Sequence, residues 1–129
     1  QGLEVRYPDC VVRFHDPKRP QFGPPHASST GVYMEGLIDA FELAREVGDE
    51  ARTERYRLAI VNGLRSLKQV MFKDERDMFY VRKSDYLQGG VRTTVYNNVM
   101  RIDNVQHNQM AILKILKTFE DEDFSHLPK

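Results

Sequence analysis

Tryptophan is absent from this 129-residue chain, and cysteine occurs once, at Cys10. A lone cysteine excludes an internal disulfide framework and a cysteine-rich zinc site. Cys10 itself reads as a small buried or half-buried hydrophobe. Net charge is missing too, because 19 Lys and Arg balance 19 Asp and Glu. Without a basic excess, neither a nucleic-acid module nor electrostatic docking to anionic membranes is expected. No apolar run approaches the roughly 18 residues of a spanning helix. No apolar leader segment opens the chain, and localisation stays unassigned. The four histidines, His15, His26, His107 and His126, lack paired-ligand spacing, so no metal is expected. The one Gly-Gly pair, Gly89-Gly90, sits in no phosphate-loop pattern. No cofactor is called for.

Proline is absent between Pro25 and Pro128. Five of the six prolines crowd into the first 25 residues, which predicts an extended arm over residues 1–28, with a short strand at Cys10–Phe14. Gln1-Gly2 reads as the remnant of a cleaved expression tag. A helical domain is expected over residues 29–119. Ser29 or Thr30 is a natural N-cap, and Gly48 a natural stop just after Val47. Tyr33, Met34, Leu37, Ile38, Ala40, Phe41, Ala44 and Val47 make a stripe wide enough for burial on more than one side. The other face carries Glu35, Asp39, Glu42 and Glu46, which reads as a solvated acidic surface. Asp49 can cap a second, surface helix from Glu50 to Phe72, and the short connection makes the pair an antiparallel hairpin.

Residues 78–81 and 91–96 are β-prone and predict a small β-hairpin between helices, with Asn97-Asn98 as a turn or bulge. Asp103 or Asn104 would then cap a third helix, reaching Phe119 and buried like the first. The tail, residues 120–129, is polar and expected to fray. The fold class is therefore mainly α: a helical hairpin, a small β-hairpin and a third buried helix.

The alternation of buried and amphipathic helices, with Ser29-Thr30-Gly31-Val32-Tyr33-Met34-Glu35-Gly36 opening one buried helix, resembles the α/α-toroid, or six-hairpin, superfamily. Leu43-Ala44-Arg45-Glu46-Val47-Gly48-Asp49 resembles its inner-to-outer hairpin turn. Arg101-Ile102-Asp103 with Gln106-His107 resembles the start of the next inner helix. The likeness covers residues 26–118, one and a half hairpins of a ring that needs six. It implies a segment of a carbohydrate-active protein of the glycoside hydrolase, lyase or epimerase type, with a sugar or polysaccharide as substrate. The alternative is a non-catalytic helical module that binds protein or glycan, or packs onto a partner domain or a second copy.

The candidate site is the polar knot where the hairpin meets the third helix. Asp103 and His107 stand four residues apart and can share a helix face. A carboxylate beside an imidazole makes an acid/base pair. Tyr96 is a candidate proton donor, and Glu35 a second carboxylate placed on the neighbouring buried helix. Arg92 and Arg101 could hold an acidic sugar, with Asn104 and Gln106 adding hydrogen bonds. The same residues also admit a plainer account: Asp103 as helix cap, Arg101 as its surface partner, His107 as packing.

Overall fold

The computed structural model describes Phe14, Lys18, Arg19 and residues 26–125. Most of the arm, including Cys10, His15 and the strand expected before Phe14, lies outside those residues, as does His126.

Helix α1 spans Ala27–Glu46 and starts earlier than the Ser-Ser-Thr signal suggests. His26 is its cap: Nδ1 accepts from the Ser29 amide at 3.3 Å, and Ser29 Oγ donates back to the His26 carbonyl at 2.9 Å. Gly48, at φ 71°, closes the helix as expected. Asp49 then accepts from the Arg52 amide at 3.0 Å and caps α2, Glu50–Val70. The two helices run antiparallel and pack closely. A Cβ on Gly63 would lie 2.7 Å from Met34 Sδ, so the buried Met34 side chain occupies the space this glycine leaves.

Helix α4, Ile102–Thr118, lies on another side of α1 and runs parallel to it, since Glu35, Asp39 and Glu42 meet His107, Lys114 and Thr118 in that order. Met34, Ile38 and Phe41 of α1, Ile60 and Val61 of α2, and Ala111, Ile115 and Phe119 from the α4 end fill the core between them. At 1.5–3 kcal/mol per fully buried large side chain, this cluster dominates the stabilisation. A second cluster joins Ala27, Leu67, Val70 and Val91, under the hairpin.

The segment joining α2 to α4 departs from expectation. Residues 78–81 form no strand. Asp74 accepts from the Arg76 amide at 2.9 Å and nucleates a single turn, α3, over Glu75–Met78. Met78 is buried while Phe79 and Tyr80 face solvent, so the alternation a strand would need is missing. The hairpin is β1, Arg92–Thr94, against β2, Asn97–Met100. The reversal falls at Val95-Tyr96. Asn97 enters the irregular stretch of β2 instead, its Oδ1 accepting from the Val99 amide at 3.0 Å. Gly89, at φ 81°, donates its amide to the Phe72 carbonyl, and Gly90 accepts from Phe72, which stitches the loop back onto the end of α2.

Neither Asp103 nor Asn104 is the α4 cap. The helix begins at Ile102, and the cap position is Arg101, with no side-chain capping bond. Both expected caps are engaged elsewhere, as described below. α4 is also less enclosed than α1 was expected to be: Ile102, Leu113 and Leu116 face solvent, as do Tyr33 and Val47 on α1. A short 3-10 turn spans Asp121–Phe124, Phe124 packs on Phe119 and Phe119 on Phe41. The guanidinium of Arg57, buried beside Glu54, donates to the carbonyls of Asp123 and Ser125 at 2.7 and 3.0 Å.

Candidate functional site

The polar knot separates into three layers. The innermost is buried. Asn104 and Asn108 are fully enclosed. Asn108 Nδ2 donates to the Ala27 carbonyl at 2.9 Å and to the Asn104 carbonyl at 2.6 Å. Asn104 Nδ2 donates to Thr93 Oγ1 at 3.0 Å. These bonds pin the first turns of α1 and α4 to each other and to β1. Asn104 Oδ1, Asn108 Oδ1, Thr30 Oγ1 and Thr94 Oγ1 have no hydrogen-bond partner among the described residues. A layer this polar orients helix ends at some cost in stability.

The second layer is the seam between α1 and α4. Gly31 makes it possible: a Cβ there would stand 2.8 Å from His107 Cβ and 2.9 Å from the Asn108 nitrogen. Just along the seam, His107 Nδ1 and Glu35 Oε1 are hydrogen-bonded at 2.8 Å. Lys114 Nζ binds both oxygens of Asp39 at 2.6 and 2.7 Å. Thr118 Oγ1 donates to Glu42 at 2.8 Å. The acidic face of α1 is thus a zipper onto α4, and of its four acids only Glu46 is left out of it. The sequence suggested a solvated face because every partner lies more than seventy residues away.

The third layer is open. Arg101 Nε donates to Asp103 Oδ1 at 2.9 Å. Partial burial works to raise the Asp103 pKa, but bonds from Ser28 and Arg101 and from the Asn104 amide outweigh it and hold the carboxyl below its usual range. Beside this pair a groove of about 560 Å³ runs between the Gly89-Gly90 turn and the first turns of α4. Arg101, Gln106 and Gln109 line it on the helix side, and Tyr86, Gln88 and the glycine backbone on the loop side. Gly90 has to be glycine here, since a Cβ would collide with Met100 Sδ at 2.5 Å and the Leu87 carbonyl at 2.8 Å.

Of the expected catalytic set, Glu35 and His107 meet, but with each other and outside the groove lining. Asp103 pairs with Arg101 rather than with His107, whose bond goes to Glu35. Tyr96 stands at the hairpin reversal, 68 % exposed. Arg92, opposite Met100 in the hairpin, is not part of the groove lining and donates instead to the Gln69 carbonyl at 2.9 Å and to Asn98 Oδ1 at 3.3 Å. Of the expected binding residues, Arg101 and Gln106 line the groove, while Asn104 is buried beneath it. Tyr86, Gln88 and Gln109 were missed. Gln106 and Gln109, three apart on the solvent face of α4, were a usable signal; Tyr86 and Gln88 sit in a loop with none.

In a second hollow Arg45 is paired with Asp123 and Arg57 with Glu54, and Glu50 stands in its lining. Among the described residues no group of His, Cys, Asp and Glu could hold a metal ion, and no helix is long and apolar enough to cross a membrane. Compared with known proteins, the chain matches no family model, no curated protein and no solved structure.

Proposed function

We propose that this chain is a sugar-binding segment of an α/α-toroid-like, carbohydrate-active protein, with the groove beside α4 as the sugar site. The observation that carries the reading is the chemistry of that groove. Its polar groups are the neutral amides of Gln88, Gln106 and Gln109, with one guanidinium, Arg101, and an aromatic ring, Tyr86, 85 % exposed at the rim. A primary amide donates and accepts at once, which matches sugar hydroxyls. An exposed ring can cover the apolar C–H face of a pyranose, and a few placed polar groups then fix its orientation. Arg101 retains donors beyond the Nε bonded to Asp103, and these suit the carboxylate of an acidic sugar.

Two neighbouring helices running parallel, with an antiparallel helix packed against the first, is the arrangement of two successive inner helices and one outer helix in a toroid. That supports the architectural half of the proposal. Hydrolase, lyase or epimerase chemistry needs a proton-moving group at the bound sugar. Glu35 and His107 are engaged with each other, so the segment on this reading contributes binding rather than the chemical step.

Isothermal titration calorimetry tests the proposal with a uronate oligosaccharide and a neutral gluco-oligosaccharide as probes. Binding is expected to be tighter for the uronate. Tyr86→Ala and Gln106→Ala should each weaken it about tenfold, the loss of one good contact, while Tyr96→Ala leaves it unchanged. Absence of binding by either probe at millimolar concentration would overturn the assignment.

A further inference from the structure

Arg92 is a half-buried cation without an anion. Its Nη2 donates to the Gln69 carbonyl at 2.9 Å and its Nη1 to Asn98 Oδ1 at 3.3 Å, and both acceptors are neutral. Its Nε is buried with no hydrogen-bond partner, and the guanidinium lies over the Phe72 ring, 5.7 Å from its centroid. Among the described residues no carboxylate pairs with it. Arg45, Arg57 and Arg101, by contrast, each hold one, from Asp123, Glu54 and Asp103. A charge drawn partly out of water without a counter-charge is unfavourable, and an anionic ligand relieves it.

The surroundings of Arg92 join it to the groove. It stands opposite Met100 in the hairpin, and Met100 lines the groove. Directly opposed residues of an antiparallel pair share a face. On that face Asn98 Oδ1 accepts from the Arg92 guanidinium and from the Tyr80 hydroxyl, at 3.3 Å each. Phe79 meets Tyr80 edge-on, with ring centroids 5.2 Å apart, and both rings face solvent. Charge follows the same pattern. From Phe79 to Arg101 the chain carries Arg82, Lys83, Arg92 and Arg101 against Asp85 alone. Lys73 and Arg76 nearly balance Asp74, Glu75 and Asp77 just upstream, so the local excess survives inside a neutral total.

We propose that Arg92, Asn98 and Tyr80 form a second subsite, continuous with the groove, for a further unit of an acidic polysaccharide. The inference rests on the sugar reading of the groove and extends it from one end of a ligand to a chain. A polyuronate carries a carboxylate on every unit. Arg101 follows Met100 in sequence and Arg92 opposes it, so two guanidiniums flank one groove residue. Each hydrogen bond of Arg92 uses one N–H, which leaves one on Nη1 and one on Nη2 for a carboxylate. The exposed Tyr80 ring offers a sugar the same apolar cover that Tyr86 offers at the groove rim. Exposed rings among basic side chains also suit single-stranded nucleic acid. The neutral amides of Gln88, Gln106 and Gln109 in the adjoining groove favour a hydroxyl-rich chain instead.

Calorimetric titration of the full chain with a galacturonate disaccharide and hexasaccharide tests the subsite. A groove of about 560 Å³ suits a small ligand such as the disaccharide. The hexasaccharide is expected to bind about tenfold tighter, the gain of one further good contact. Arg92→Gln and Tyr80→Ala should each bring hexasaccharide affinity down to that of the disaccharide. Disaccharide affinity should stay unchanged in both variants, which also shows that they fold. Equal affinity of the two ligands for the wild type overturns the second subsite and leaves the groove reading standing. A hexasaccharide advantage that survives both substitutions overturns it too. Binding of neither ligand overturns both the subsite and the groove reading. Tighter binding of a single-stranded thymidine hexanucleotide than of the hexasaccharide overturns the choice of ligand.

Discussion

Gly31 and Gly36 lie in the same helix, five residues apart, and the structure gives them opposite roles. Alanine at position 36 meets nothing within 4 Å, so it should gain helix propensity unopposed, about 0.5–1 kcal/mol of stability. Alanine at position 31 has the same gain but must place its Cβ 2.8–2.9 Å from His107 Cβ, the His107 carbonyl carbon and the Asn108 nitrogen. Two of those three are backbone atoms, so no rotamer change can clear them. Ordinary carbon contacts are ~3.5–4.0 Å, and α4 must move away by roughly that difference. The shift strains the Asn108–Ala27 and Glu35–His107 bonds, each worth about 1 kcal/mol, on top of an overpacking cost of about 1–3 kcal/mol. Net destabilisation of Gly31→Ala is expected at about 1–3 kcal/mol. Urea unfolding at dilute concentration reads both variants as midpoint shifts of opposite sign at constant m-value. A Gly31→Ala variant as stable as the wild type would refute the close approach of α1 and α4.

Two further outcomes follow from the pairings at either end of the seam. Asp103 has a depressed folded-state pKa, so it contributes stability that is fully present above its unfolded value, near 3.8, and is lost as pH falls through the folded value. Asp103→Asn should therefore flatten the acid limb of a stability–pH curve below about pH 4 and leave its neutral region comparatively unaffected. Arg57 joins α2 to the Asp123 and Ser125 carbonyls; Arg57→Met should release residues 120–125, seen as faster amide hydrogen exchange there, with α1 protection retained.

Much of the architecture was legible in the sequence because its signals are local. Gly48-Asp49 marks a stop and a start with adjacent residues, and the apolar period of Met34, Ile38 and Phe41 picks out the core face of α1. Local signals misled where side chains bond far away. Asp103 and Asn104 look like caps because both residue types cap helices, yet Ser28, Arg101 and Thr93 occupy them and α4 starts earlier. Residues 78–81 look like a strand by composition, but the Asp74 cap upstream wins. Arg57 reads as a surface residue beside Glu54, because its acceptors are backbone carbonyls near the other end of the chain. The site was legible in part: Arg101 and Gln106 line the groove, while the Glu35–His107 meeting has no local signature at all. Tyr33 and Val47 on α1 and Leu113 and Leu116 on α4 carry the apolar period yet face solvent, because periodicity cannot tell a face covered within the chain from one left open.

Sugar binding in the groove beside α4, as proposed above, can be observed residue by residue. Titrating a uronate oligosaccharide into isotopically labelled protein and following the amide spectrum tests it most directly. Saturable shifts are expected at the side-chain amides of Gln88, Gln106 and Gln109 and at the Gly89 and Gly90 backbone, with Gly36 and Leu43 unmoved. Saturable shifts along α1 and at Leu113 and Leu116, with the groove amides silent, would contradict it.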